Sequence, residues 1–100
     1  MGHQVILTPR AIEDLRAIVE YIAADNPGRA LTFGEELIER ALSLGEWPNA
    51  GRMVPEIHDS AVRELIHQSY RIVFKIQAGA KVVYVVRFWH AARGKPRLEG

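Results

Sequence analysis

Residues 62–89 read VRELIHQSYRIVFKIQAGAKVVYVVRFW, and their period decides the fold. From Tyr70 to Gln77 the chain alternates, with Tyr70, Ile72, Phe74 and Ile76 on one side and Arg71, Val73, Lys75 and Gln77 on the other. A period of two is that of a strand, and its first face is apolar enough to pack against helices. Before it, Val62 to Ile66 is a short strand and His67-Gln68-Ser69 a turn. After it, Ala78-Gly79-Ala80 makes a tight turn into a third strand, Lys81 to about Trp89. That last strand is apolar on both sides, which places it inside the sheet rather than at an edge.

Upstream the period is helical. Gln4 to Thr8 is a short β-prone run stopped by Pro9. Thr8-Pro9 then reads as a cap followed by proline at a position where no donor is missed. Ile12, Leu15, Ile18, Val19 and Ile22 form the apolar stripe of a first helix that ends near Asp25. Asn26-Pro27 repeats the signal and opens a second helix, whose stripe is Ala30, Phe33, Leu37, Ala41 and Leu44. Leu31, Ile38 and Leu42 widen that stripe, and Glu36–Arg40 is a candidate i,i+4 pair. Gly45 and Trp47-Pro48 end it, and Pro48, Gly51 and Pro55 mark residues 48–61 as a loop. The order is β-α-α-β-β-β, an α+β domain with a helical hairpin on one face of a mainly antiparallel sheet.

The 100 residues, 48% hydrophobic and 25% charged, suit one domain with one core and no linker or repeat. The chain has no cysteine, which excludes disulfide scaffolds and thiol chemistry. Its longest apolar run, Val82 to Val86, is far short of the ~20 residues of a membrane span, and its start lacks the pattern of a signal peptide. A cytoplasmic protein without membrane association is expected. Net charge is +1, but residues 1–50 hold four arginines against eight acids, and residues 51–100 hold nine basic residues against four acids. An acidic half followed by a basic half suggests one face that meets an anionic partner.

No phosphate-binding glycine loop, nucleophile elbow or histidine pair at metal spacing occurs, so neither a metal nor a cofactor is expected. What remains is a basic group on the strands, Arg63, Arg71, Lys75, Arg87, His90 and Arg93, continued by Lys95 and Arg97 in the tail. Two hairpin registers fit the turn. If Ala78 pairs with Lys81, Arg71 lies opposite Phe88 and one diagonal step from His90. If Gln77 faces Lys81, Arg71 lies opposite Arg87. Either places a second cationic or titratable group beside Arg71, which suits phosphate, since guanidinium forks match its oxygens. Arg63 has Glu64 and Glu56 as alternative partners, Tyr70 either packs or reacts, and Arg87 inside an apolar strand needs a partner. Lys75 and Lys81 read as solvated guards near a turn. His58 and His67 read as loop and turn residues facing solvent. The segment from Ala91 reads as a basic, mobile tail.

LTPRAIEDLRAIVEYIAADNP (7–27), WPNAGRMVPEI (47–57), VRELIHQSYRIVFKI (62–76) and VVRFWHAAR (85–93) together resemble the ParE/RelE superfamily of toxins from type II toxin–antitoxin systems, over roughly residues 4–94. The Pro-x-x-Gly-Arg loop and the His-x-Ala-Arg ending are closer to the ParE branch. The resemblance implies a toxin that inhibits DNA gyrase through a binding surface, with Arg63, Tyr70, Arg87, Arg93, Lys95 and Arg97 as candidate contacts. It also implies a cognate antitoxin as partner, with a heterotetramer as one assembly. The RelE branch implies instead a ribosome-dependent mRNA endonuclease. Arg71 would then stabilise the phosphate, His90 act as acid or base, Arg93 make a second phosphate contact, and Glu56 be a weaker base candidate. Ala91 stands where several such nucleases carry a stacking aromatic residue. A third implication is a non-toxic module that only binds its antitoxin.

Overall fold

The computed structural model describes residues 2–98. Strand β1 (Gln4–Leu7) leads into helix α1 (Pro9–Ala23). Helix α2 (Pro27–Leu42) and a turn of 3₁₀ helix (Ser43–Gly45) follow, then strands β2 (Arg52–Met53), β3 (Val62–His67), β4 (Tyr70–Gln77) and β5 (Val82–His90). Both helices start as their sequences dictate. The Thr8 hydroxyl accepts the Ala11 N–H and the Asn26 side chain accepts the Arg29 N–H, each beside a proline that has no donor to satisfy.

The sheet runs β1-β5-β4-β3-β2, with every neighbour antiparallel except the parallel β1–β5 pair. The expected α+β architecture is therefore present. The helical hairpin covers one face, where Ala11, Ile18, Phe33, Leu37, Ala41 and Leu44 pack on Leu65, Ile72, Phe74, Val83, Val85 and Phe88. Phe74, Leu37 and Ile72 are fully buried, each contributing about 1.5–3 kcal/mol by leaving water. The other face carries a smaller cluster, Val54, Val62 and Val73, covered by Ile57 from the loop and by Leu98 from the tail.

Several local expectations need correction. On α1, Ala11 takes the core position and Ile12 is 44% exposed. On α2, Leu31 and Leu42 lie outside the core at 65% and 52% exposed, with Ile38 also at the surface. Glu36 meets His67 and Arg29 instead of Arg40, whose guanidinium donates to the Ile66 carbonyl. The loop contains β2, two residues paired with β3 at Glu64 and Arg63. It can lie this close because residue 51 is glycine: a Cβ there would stand 2.6 Å from the Phe74 ring and 2.8 Å from the Glu64 carbonyl oxygen.

The β4–β5 register follows the first expected pairing, that of Ala78 with Lys81, near the turn and departs from both expected pairings beyond it. Near the turn Gln77 faces Val82 and Phe74 faces Val85, but Val73 faces Arg87 and Arg71 faces Trp89, so Val86 is an extra, bulged residue. The bulge falls where β1 ends and α1 takes over the β5 edge. Thr8 donates its backbone N–H to the Val85 carbonyl, and the Asp14 carboxylate accepts the Phe88 N–H. No helix among the described residues is long and apolar enough to cross a membrane.

Candidate functional site

The bulge settles which candidate residues can share a face. Tyr70 faces His90 on the helix side of the sheet, and Arg71 points the opposite way with Val73. Neither His90 nor Arg87 is paired opposite Arg71; the cation that shares its surroundings is Arg52, which meets the same Glu64 carboxylate. Arg71 is 5% exposed and all three of its guanidinium nitrogens are engaged. Nε donates to Glu64 at 2.6 Å, Nη2 to Glu56 at 2.6 Å, and Nη1 to Glu56 at 3.2 Å and to the Gly94 carbonyl at 3.0 Å. Glu64, its side chain fully buried, also accepts from Arg52 at 2.9 Å. The hydrogen bond from Arg71 holds the Glu56 carboxyl below the usual carboxylate range, and Glu56 in turn pushes the Arg71 guanidinium up.

Arg87 is likewise structural. It is 2% exposed, with Nε and Nη2 donating to Asp14 at 2.7 and 2.9 Å and Nη1 donating to the Arg97 carbonyl at 2.6 Å. Thus Arg71 and Arg87 do not join His90 in a cationic ridge, because buried guanidinium groups require carboxylates and this fold supplies them. Arg63 sits apart, donating to the Ser60 carbonyl and not to Glu64 or Glu56.

The tail is docked. Gly94, at φ +76°, turns its carbonyl to accept from both Arg71 and the Trp89 indole, and Pro96 is buried. This places the Arg93 guanidinium 3.9 Å above the Trp89 ring. Trp89, Arg93, Lys95, Pro96 and Arg97 line a cleft of about 680 Å³. Among the described residues no carboxylate lies within ion-pair distance of Arg93, Lys95 or Arg97.

Arg93 also borders a second cleft, about 440 Å³, with Tyr21 and Ile18 of α1, Tyr70, Phe88 and His90. A third, about 310 Å³, continues it past Tyr21, Tyr70 and His90 to Phe33 and Arg29. The Tyr70 and His90 rings meet edge to face at 5.0 Å, and Tyr70 leans on Phe33 at 5.5 Å. Burial pushes the Tyr70 phenol up, with Tyr21 adding to it, so at neutral pH it is a hydroxyl donor. The Ala92 N–H donates to His90 Nδ1 at 3.1 Å, which leaves the proton of the neutral ring on Nε2. His67 is no free turn residue: it ends β3, stacks near Phe33 and bonds Glu36 at 3.2 Å. The bond to His67, with Arg29 beside it, holds the Glu36 carboxyl low.

The structure thus gathers Tyr70, His90 and Arg93 around one cleft, places Lys95 and Arg97 with Arg93 and Trp89 around another, and removes Arg71, Arg87 and Arg63. Sequence reading missed Tyr21, which is 80% exposed, although an aromatic residue off the apolar stripe of a helix was the available signal. It also missed Asp14 and Glu64, acids whose partners lie elsewhere in the chain. No group of three or more metal-ligating side chains occurs among the described residues.

A family model described as the ParE toxin of type II toxin–antitoxin system, parDE, matches residues 5–94. The chain belongs to this family. The ParE-family chain is also 37% identical over 91 residues to Toxin RelE2 of Caulobacter vibrioides, across 90% of this chain and 97% of that one. Its fold is similar to a chain of the chromosomal ParDE system of P. aeruginosa, with TM-score 0.74, 22% identity, and 88% and 95% of the two chains covered. It is similar too to a chain of the RelBE2 toxin–antitoxin complex of Mycobacterium tuberculosis, with TM-score 0.69, 20% identity, and 90% and 99% covered. The protein is a toxin of the ParE/RelE superfamily, the toxin half of a type II toxin–antitoxin pair.

Proposed function

We propose that this toxin inhibits DNA gyrase through a binding surface, without cutting a substrate, and is neutralised in the cytoplasm by a cognate antitoxin. One observation carries this reading. Arg71, the strand arginine a nuclease of this superfamily would aim at the scissile phosphate, has every guanidinium nitrogen committed to Glu64, Glu56 or Gly94. A group that stabilises a pentavalent phosphate must be free to meet it. Among the described residues Arg93, Lys95 and Arg97 of the tail have no carboxylate partner, and they supply charge for a target or for acidic residues of the antitoxin.

A second reading, ribosome-dependent mRNA cleavage, is favoured by the Tyr70–His90–Arg93 cluster and by the name of the 37% identical relative, Toxin RelE2. Here His90 Nε2 would move the proton and Arg93 would face the phosphate. The two separate in one experiment. Purified toxin is added to gyrase with supercoiled plasmid, and separately to translating ribosomes with mRNA. Accumulation of cleaved plasmid bound to gyrase is the expected result. Discrete mRNA cuts at codon positions with untouched plasmid would overturn it.

A further inference from the structure

Residues 90–94 turn the chain from β5 into the tail, and the turn is tied down at both ends. The Ala91 N–H donates to the Ser69 carbonyl at 2.8 Å, and the Gly94 carbonyl accepts from Arg71 and from the Trp89 indole. Between these anchors the Gly94 N–H donates to the Ala91 carbonyl at 3.3 Å, which closes one turn of 3₁₀ helix, Ala91–Arg93. The Ala92 N–H donates instead to Nδ1 of the His90 ring at 3.1 Å, so a histidine caps the turn that carries Arg93. Among the contacts that hold this turn, only the cap contains an imidazole, the side chain that ordinarily changes charge between about pH 5 and 8. We propose that His90 is a proton-sensitive cap. Neutral, it holds the Ala91–Arg93 turn against the ends of β4 and β5; protonated, it releases the turn and withdraws Arg93 from the cleft of Tyr70.

The chemistry of the ring requires this coupling. A neutral imidazole has one nitrogen that accepts and one that donates, whereas in the imidazolium both donate. Protonation therefore sets the Nδ1 proton against the Ala92 N–H, and the cap cannot survive it. The same proton places a second positive charge beside Arg93, which lines the 440 Å³ cleft together with the ring. Arg93 has a second seat, because its guanidinium lies 3.9 Å above Trp89, whose side chain points to the opposite face of the sheet. The surroundings of the ring do little to offset the new charge. Helix α1 brings Tyr21 and Asp14, but the Asp14 carboxylate is occupied by Arg87 and the Phe88 N–H. Helix α2 brings Arg29, another cation, and β4 brings Tyr70, whose ring meets the histidine edge to face. His67, across Tyr70 on β3, bonds Glu36 and takes no part in the turn. Both target readings use Arg93, so the switch rests on the geometry of the turn and not on the choice between gyrase and ribosome.

The test is nuclear magnetic resonance of the full chain from pH 8 to pH 5. Once His90 is protonated, the Ala92 amide should exchange with water about 2- to 30-fold faster relative to its intrinsic rate at each pH, the range that loss of a cap allows. The midpoint of that change should coincide with the midpoint of the His90 ring resonances. Nuclear Overhauser contacts from the Arg93 side chain to the Tyr70 and His90 rings should fade over the same range, while those to Trp89 persist. His90→Asn supplies a side-chain oxygen that caps without titrating, and should protect Ala92 at both ends of the range. His90→Ala should leave Ala92 unprotected at both. Unchanged Ala92 exchange across the titration of His90, Arg93 still at the Tyr70 cleft in acid, or a pH response in His90→Asn equal to the parent's would each overturn the switch. If His90→Ala does not fold, the parent's own titration and His90→Asn decide the matter. None of these readouts involves gyrase or ribosomes, so this inference and the target reading fail separately.

Discussion

Replacing Arg71 by alanine should cost this protein stability first and activity only as a consequence. The side chain ties three parts of the molecule that are remote in sequence: Glu64 on β3, Glu56 in the loop and the Gly94 carbonyl in the tail. Removing one member of a buried ion pair typically costs about 3–5 kcal/mol, because the abandoned charge remains desolvated. Here Glu64 retains Arg52 at 2.9 Å, a partner whose own side chain is 64% exposed, and Glu56 can rehydrate. The lower end, about 3 kcal/mol, is therefore expected. At roughly 4–8 °C per kcal/mol for a chain of this size, the midpoint of thermal unfolding should fall by about 12–24 °C. Thermal unfolding followed by far-UV circular dichroism measures that shift and urea unfolding the free energy, and a Glu64→Leu, Arg71→Met pair should recover most of the loss by removing both charges together. An Arg71→Ala protein with the parent's urea midpoint would refute the reasoning and return Arg71 to the list of free, functional cations. Loss of toxicity in Arg71→Ala cells is consequently no sign of catalysis unless the purified variant is shown to be folded.

Asp14→Ala leaves Arg87, 2% exposed, without its carboxylate and the Phe88 N–H without its acceptor; a loss of about 3–5 kcal/mol is expected, with faster hydrogen exchange at Phe88. Gly51→Ala should cost about 1–3 kcal/mol in chemical denaturation, since the new methyl meets the Phe74 ring and the Glu64 carbonyl at under 3 Å and the backbone cannot yield cheaply. Acid should destabilise the fold. The Glu56 and Glu36 carboxyls are held below their ordinary value of 4.5, by Arg71 and by His67 respectively. Folding therefore favours their ionised forms, and the stability they lend is complete above that value and is lost as pH falls below it. Thermal midpoints measured from pH 6 down to pH 3 should fall, and Glu56→Gln should flatten that limb.

The elements legible in the sequence are those written in local periods. Asn26-Pro27 and the spacing of Ala30, Phe33, Leu37, Ala41 and Leu44 gave both the start of α2 and its buried face, and all five residues are in the core, Leu44 from the 3₁₀ turn that follows the helix. The alternation through Tyr70–Gln77 gave β4 in the same way. What was not legible depends on contacts across the chain. The β4–β5 register could not be counted from the turn, because the bulge at Val86 arises where Thr8 and Asp14 replace β1 along the β5 edge. Strand β2 is two residues long, too short to show any period. The site was half legible for the same reason. A cation list can be read from the sequence, but Asp14 lies 73 residues from Arg87 and Glu56 15 residues from Arg71, so which arginines are consumed is a tertiary fact.

The charge asymmetry of the chain acquires a sharper meaning once those pairs are removed. Arg52, Arg71 and Arg87 are neutralised by Glu64, Glu56 and Asp14. Arg93, Lys95 and Arg97, which have no carboxylate partner among the described residues, stand together in the tail, which Arg71 and Arg87 hold in place through the carbonyls of Gly94 and Arg97. Neighbouring residues of a strand point to opposite faces, so Tyr70 and Arg71 cannot serve one site together. The fold divides them: Arg71 anchors the back of the sheet and the tail, and Tyr70 meets His90 on the helix side. Arg93 borders both sides because the chain turns after His90, with Ala92 donating to the histidine ring and Gly94 carrying a positive φ: its guanidinium lies over Trp89, on the Arg71 side, and it also lines the cleft of Tyr70 and His90. The buried cations therefore act on function at one remove, by fixing where the exposed ones stand, and a variant that alters the first group should always be read for its effect on the second.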